Sequence, residues 1–130
     1  MLFISCEDKE PTSAQCDRTL IISDKDFNEA KDESDFGINN VSITGDCMTV
    51  TYRYGGGCGE ITTKLVAAEE SIQHTGNLTF RELKLSIDDK DNCEALITTS
   101  EEFDISALQG SGNSVIIKLH KWAEDLVYTY

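Results

Sequence analysis

Apolar and polar residues alternate most regularly between Ile38 and Tyr54. Val41 and Ile43 alternate with serine and threonine, and a second alternating run of apolar residues follows Gly45-Asp46. A period of two is typical of a β-strand with one buried face, and two such runs joined by two residues predict a β-hairpin. Because glycine accepts positive φ at little steric cost, Gly45-Asp46 suits a type I′ or II′ turn.

Further short apolar segments, broken by glycine, asparagine and aspartate, predict more strands. We expect them at Arg18 to Ile22, Glu60 to Val66, Leu78 to Ile87, Cys93 to Thr99, Phe103 to Ile105, Val115 to Leu119 and Leu126 to Tyr130. Ala67 to Asn77 is polar and predicts a connection. Ser23 to Glu33 is highly charged and fits either a capped helical turn around Phe27 and Ala30 or a loop.

The number and spacing of these segments predict the fold class. With about 7–8 short strands and no long helix, the chain is expected to be all-β, and specifically an antiparallel, immunoglobulin-like β-sandwich. In the Leu78 to Ile87 segment the apolar parity slips between Phe80 and Leu83. A β-bulge near Arg81-Glu82 would restore the inward face.

Length and charge narrow the class of protein. A chain of 130 residues fits one domain, and no segment approaches the roughly 20 apolar residues of a membrane-spanning helix. The net charge of −13, from 24 acidic and 11 basic side chains, repels phosphate backbones. The sequence therefore argues against nucleic acid as a partner.

The cysteine content points to an oxidising compartment. The five cysteines are Cys6, Cys16, Cys47, Cys58 and Cys93. None has the spacing of a zinc or thioredoxin site, and the two histidines are isolated, so two disulfides and one further cysteine account for them better than a metal cluster. Four cysteines allow three pairings. We favour Cys16 with Cys47 and Cys58 with Cys93, which would pin the start of the domain to the hairpin and the glycine turn to a later strand. Cys47 lies on the polar side of its strand, so its partner is expected to cover the outer face of the sheet.

The fifth cysteine has a distinctive context. Residues 1–5, Met-Leu-Phe-Ile-Ser, resemble the lipobox of bacterial lipoproteins, in which a small residue precedes the cysteine that is acylated. We therefore predict that residues 1–5 are the remaining part of a signal peptide and that Cys6 is the lipidation site. An acyl anchor on Cys6 would then hold the protein in a membrane. Residues 6–15 have the composition of an acidic tether, which also resembles surface-export signals of Bacteroidetes lipoproteins. Residues 16–130 would then form one disulfide-stapled β domain.

Several segments carry a wider resemblance. They are Ile43 to Tyr52, Gly56 to Cys58, Cys93 to Ala95, Phe103 to Gln109, Ile116 to Trp122 and Leu126 to Tyr130. They resemble a group of small uncharacterised lipoproteins of marine and flavobacterial Bacteroidetes with Gly-Asp-Cys and Gly-Gly-Cys motifs. The resemblance implies an extracytoplasmic β-rich domain with paired cysteines, and it carries over no catalytic residue and no ligand.

Few residues suggest a specific chemistry. Asp88, Asp89 and Asp91 offer clustered oxygens for a calcium ion but lack the frame of a calcium loop, which favours a solvated turn. The glycine run at residues 55–59 lacks the lysine of a phosphate-binding loop and is better interpreted as a tight turn. Trp122 lies in a polar segment where alternation does not dictate burial, so it is the candidate ligand contact. We interpret Glu101, Glu102 and His120 as exposed strand residues.

These observations predict a non-enzymatic, lipid-anchored protein of the outer membrane, facing the periplasm or the cell surface. No serine lies in a Gly-x-Ser-x-Gly context, and pairing would remove the free thiolates. We expect no cofactor and a binding or interaction role toward a protein or glycan. A calcium-dependent adhesion module and a small extracytoplasmic hydrolase are the alternatives.

Overall fold

The computed structural model describes residues 16–31, 36–56, 61–74, 78–89 and 95–130. Over these ranges the helices and strands are β1 (Arg18–Thr19), β2 (Ile21–Ile22), α1 (Asp24–Glu29), β3 (Phe36–Thr44), β4 (Cys47–Gly56), β5 (Ile61–Ala67), β6 (Ile72–His74), β7 (Leu78–Asp89), β8 (Ala95–Asp104), a 3-10 helix (Ser106–Leu108), β9 (Ser114–Leu119) and β10 (Leu126–Thr129). Neither helix in these ranges has the length and apolar composition needed to cross a membrane.

The strands form two sheets that share one hydrophobic core. The first sheet has the order β1-β8-β4-β3, and the second has the order β10-β9-β7-β5-β2 with β6 also paired to β7. Inward-facing residues of both sheets are fully buried together, among them Met48 and Phe103 from the first and Leu85 and Ile117 from the second. The all-β prediction is therefore confirmed.

Two details of the predicted fold class are wrong. Both sheets are mixed, because β1 runs parallel to β8, β2 parallel to β5 and β7 parallel to β9. The described residues also contain ten strands rather than seven or eight. An immunoglobulin-like arrangement is not confirmed by this strand order.

The predicted hairpin is confirmed. β3 and β4 pair antiparallel from Thr44 and Cys47 outward, with Gly45-Asp46 as the two-residue turn. Gly45 has φ of 61° and is the first central residue of the turn, whereas Asp46 has no positive φ, as in a type II′ turn. A register shift between Ile38 and Asn40 makes a bulge in β3.

The segment that reads as the first strand is divided between the two sheets. Arg18 and Thr19 extend the first sheet beside β8, whereas Ile21 and Ile22 extend the second beside β5. Leu20, between them, is 5% exposed and its N–H donates to the carbonyl of Asp104. One buried residue therefore marks where the chain crosses from sheet to sheet.

The charged segment after β2 forms the helical alternative. Ser23 is the N-cap of α1, and its Oγ accepts a hydrogen bond from the backbone N–H of Asp26. The Phe27 ring packs against Lys84 and His120 on the outer face of the second sheet. α1 therefore covers part of that face.

The parity slip in β7 has a different cause from the predicted one. Leu83 and Leu85 face the core, whereas Phe80 pairs in register with Ile116 and lies on the outer face beneath the Lys118 ammonium. No bulge interrupts β7 near Arg81-Glu82, since the strand stays in continuous register with β9 from Phe80 to Leu83. The prediction of a bulge was wrong because it assigned Phe80 to the core.

Candidate functional site

A chain of four polar side chains crosses the core between the two sheets. Glu101 pairs in register with the buried Val50, so its side chain points inward. The Glu101 carboxylate forms an ion pair with Arg18, whose Nη1 lies 2.5 Å from Oε1, and accepts a short hydrogen bond from the Tyr52 hydroxyl. The same hydroxyl lies 3.2 Å from Oγ1 of the buried Thr63. Tyr52 and Thr63 thereby link the first sheet to the second.

Burial governs the electrostatics of this network. Desolvation, followed by the hydrogen bond to Glu101, raises the pKa of Tyr52 well above its ordinary value of 10.0. The Tyr52 hydroxyl is therefore protonated at neutral pH and donates its hydrogen bond to Glu101. The prediction that Glu101 is an exposed strand residue is wrong, since only 21% of its side chain is exposed. We interpret the network as a structural link between the sheets.

A second network joins the sheets at the hairpin turn. The buried Tyr128 hydroxyl donates to Oδ1 of Asp46 at 2.6 Å and accepts from Nε2 of Gln109 at 3.0 Å. Asp46 belongs to the turn of the first sheet and Tyr128 to the last strand of the second. Burial, helped by the bond to Asp46, raises the pKa of Tyr128 to about 12.

This raised pKa predicts an alkaline loss of stability. An unfolded tyrosine ionises near pH 10, so Tyr128 contributes stability that is complete below about pH 10 and is lost as the pH rises toward about 12. We expect the free energy of unfolding, measured by urea denaturation across this range, to fall with pH. The Tyr128→Phe variant should show a shallower decline, and an equal decline in both proteins would contradict the assignment.

Trp122 lies in the connection between β9 and β10. Its indole is half-buried and packs against the core, and in the described part of the chain its buried Nε1 has no hydrogen-bond partner. The neighbouring Lys121, at φ of 73°, places its ammonium 3.8 Å from the Phe36 ring centroid and donates to the Phe36 carbonyl. The connection is thus fastened to β3, and a ligand-binding role for Trp122 stays a prediction.

The predicted metal residues are only partly described. Nζ of Lys31 lies 3.2 Å from Oδ1 of Asp88, so this carboxylate has a cationic partner of its own. The side chain of Asp89 and all of Asp91 lie outside the described residues. Within the described ranges, no three histidine, cysteine, aspartate or glutamate side chains are grouped to hold a metal ion.

A cavity of about 220 Å³ lies beneath α1 on the outer face of the second sheet. It is lined by Asp26, Glu29, Ala30, Lys31, Thr62, Lys64, Val66, Ser86 and Asp88. Its serine is already engaged, because Oγ of Ser86 accepts the backbone N–H of Lys31 at 2.9 Å. The carboxylate–imidazole pair of Glu82 and His120, 3.9 Å apart, is not part of the lining. This cavity therefore does not combine a hydroxyl nucleophile with a histidine base.

One of the two predicted disulfides is confirmed. Cys16 is bonded to Cys47, with their Cα atoms 5.6 Å apart. Two strand spacings, roughly 10 Å, separate β1 from β4, so the chain at Cys16 must lie over the outer face of β8 to reach Cys47. Cys6, Cys58 and Cys93 lie outside the described residues, and the second pairing and the lipidation stay predictions.

Comparisons with known proteins support the fold alone. No family model matches the chain, and no curated protein matches it. A crystal structure of a protein of unknown function, DUF1344, from Bacteroides vulgatus matches with a TM-score of 0.56 and 13% identity, over 87% of this chain and 55% of that one. A protein described as toxin related, from Parabacteroides distasonis, matches with a TM-score of 0.59 and 12% identity, over 85% of this chain and 61% of that one. The chain thus spans less than two thirds of either protein, and the similarity concerns the fold.

Proposed function

We propose that this chain is a lipid-anchored, non-catalytic binding or interaction protein of the bacterial envelope. The observation that carries the proposal is the Cys16–Cys47 disulfide at the first described residue of the domain, ten residues after Cys6. Structural disulfides persist in oxidising compartments outside the cytoplasm. A bridge at this place holds the domain firmly at the end of the proposed tether.

The polar groups of the described core support a binding role over a catalytic one. Tyr52 and Glu101 satisfy each other inside the network, and Tyr128 is engaged by Asp46 and Gln109. A general acid or base must be able to exchange protons with a substrate, whereas these hydroxyls bond to groups that join the two sheets. We therefore assign the function of the domain to its surface.

We expect the anchor to depend on Cys6 alone. When the chain is produced behind a lipoprotein signal peptide in a Bacteroidetes host, it should incorporate an alkyne-labelled fatty acid and sediment with membranes. Cys6→Ala should abolish both properties, because the acylated cysteine supplies the apolar chains. Cys16→Ala is the matched control and should still be labelled. Undiminished labelling of Cys6→Ala would overturn the anchor.

A further inference from the structure

The first sheet has a long edge that is open in the described part of the chain. β8 pairs with β4 over its whole length in one continuous register. On its other side β1 pairs only with Phe103 and Asp104, and no described strand pairs with Ala95–Glu102 there. Unpaired N–H and C=O groups along a regular strand are a template for an added strand.

The other described edges are shorter or interrupted. Beside the two-residue β2, the edge of β5 is unpaired by described strands only over Ile61–Leu65, which includes Lys64, and β10 has four residues. β3 carries the bulge between Ile38 and Asn40, and the Phe36 carbonyl already accepts a hydrogen bond from Nζ of Lys121. Bulges and lysines are the usual protections of an edge strand. The segment Ala95–Ser100 has no charge, proline or glycine, and Leu96 is 69% exposed.

The disulfide explains why β1 stops where it does. At Arg18 the chain is paired beside β8, but two residues earlier Cys16 lies next to Cys47 of β4. The bond therefore draws the chain off the edge and over the outer face of β8. Residues that immediately precede Arg18 are kept from extending β1 along the edge.

We propose that this edge binds an extended peptide segment of another protein, which adds to β8 as an antiparallel strand. The outer face of β8 carries four side chains, those of Leu96, Thr98, Ser100 and Glu102. They alternate along β8 with residues whose partners on β4 face the core. Glu102 has no cationic partner in the described residues, and the whole chain is strongly acidic. The bound peptide should therefore carry a basic side chain opposite Glu102 and an apolar side chain opposite Leu96.

The inference rests on the proposed binding function but not on the lipid anchor. The probe is a heptapeptide that begins with lysine, ends with leucine and alternates valine and threonine between them, which places lysine opposite Glu102 and leucine opposite Leu96 in the antiparallel register. Binding to the full chain is measured by fluorescence anisotropy, and amide hydrogen exchange is followed in β8. We expect saturable binding and slower exchange at those amides of Ala95–Glu102 that face away from β4.

Backbone pairing is tested with two further peptides, each N-methylated at alternate residues. Since only every second N–H of an antiparallel strand faces its partner, one of the two peptides should lose binding and the other should keep it. Equal affinity for both, or unchanged exchange in β8, would overturn the proposal. So would failure of the unmodified peptide to bind, and that result would leave the Cys6-dependent anchor intact.

Side-chain matching is tested with variants. Leu96→Lys should weaken binding about fivefold, whereas Val127→Lys, which also puts lysine in place of an exposed aliphatic residue, on β10, should not. Glu102→Lys should weaken the lysine peptide and favour a peptide with glutamate in its place. Equal effects of Leu96→Lys and Val127→Lys would place the peptide elsewhere and overturn the assignment to β8.

Discussion

Replacing both Cys16 and Cys47 with serine is expected to lower the free energy of unfolding by about 3.5 kcal/mol. The bond closes a loop over a sequence separation of 31 residues, and the chain-entropy model assigns roughly that stabilisation to a loop of this length. Domains of this size have only about 5 to 15 kcal/mol of stability in total. The loss should therefore show as a large fall in the urea midpoint.

The control for this prediction is the reduced wild-type chain. In the presence of reductant, the wild type and the double variant should unfold at the same urea concentration, because the variant has already lost this bond. Without reductant, the wild type should be more stable than the double variant by about 3.5 kcal/mol. A difference under about 1 kcal/mol between the oxidised wild type and the variant would contradict the model of a constrained unfolded state.

Tyr52→Phe is expected to cost about 2 kcal/mol of stability. The substitution keeps the buried ring but removes the hydroxyl that donates to Glu101 and lies beside Thr63. The inward-facing carboxylate and the buried threonine then lose a partner, and an unsatisfied buried polar group costs about 1–3 kcal/mol. Urea denaturation at neutral pH measures the effect.

The matched control is Tyr54→Phe on the same strand and the same face. The Tyr54 ring lies 6.0 Å from that of Tyr52 and packs against the core, and its hydroxyl makes no hydrogen bond to the described residues. The control should change stability by less than about 0.5 kcal/mol. In a double-mutant cycle, Tyr52→Phe should lower the free energy of unfolding by less when Glu101→Gln is already present. Strictly additive effects of the two substitutions would refute the coupling between Tyr52 and Glu101.

Local patterns predicted the elements whose partners are close in sequence. The β3–β4 hairpin followed from alternation around Gly45-Asp46, and the position of Cys47 on the polar face correctly indicated that its partner covers the outside of the sheet. The Ser23 to Glu33 segment fitted a capped helical turn as well as a loop, and the helical alternative is the one that forms. In each case the physical cause, a turn geometry or a strand period, is contained within a few residues.

The errors concern residues whose environment depends on distant strands. Arg18 to Ile22 looks like one β-branched strand, but Leu20 divides it between two sheets. Glu101 looks like a solvent residue, but the pairing of β8 with β4 turns it inward toward Tyr52. Phe80 looks like core because it is large and apolar, yet it is buried on the opposite face. No local period distinguishes these cases, since strand partners are chosen by the fold as a whole.

The position of Cys16 also decides how the domain would bear a mechanical load. Tension applied to the chain before residue 16 reaches Cys47 through the covalent bond before it reaches Arg18. β1 and β2 are two residues each and would peel away one hydrogen bond at a time, whereas β4 is held between β3 and β8 along its length. Such a load is therefore borne by an interior strand of the sheet, and the short strands at the start of the domain are shielded from it.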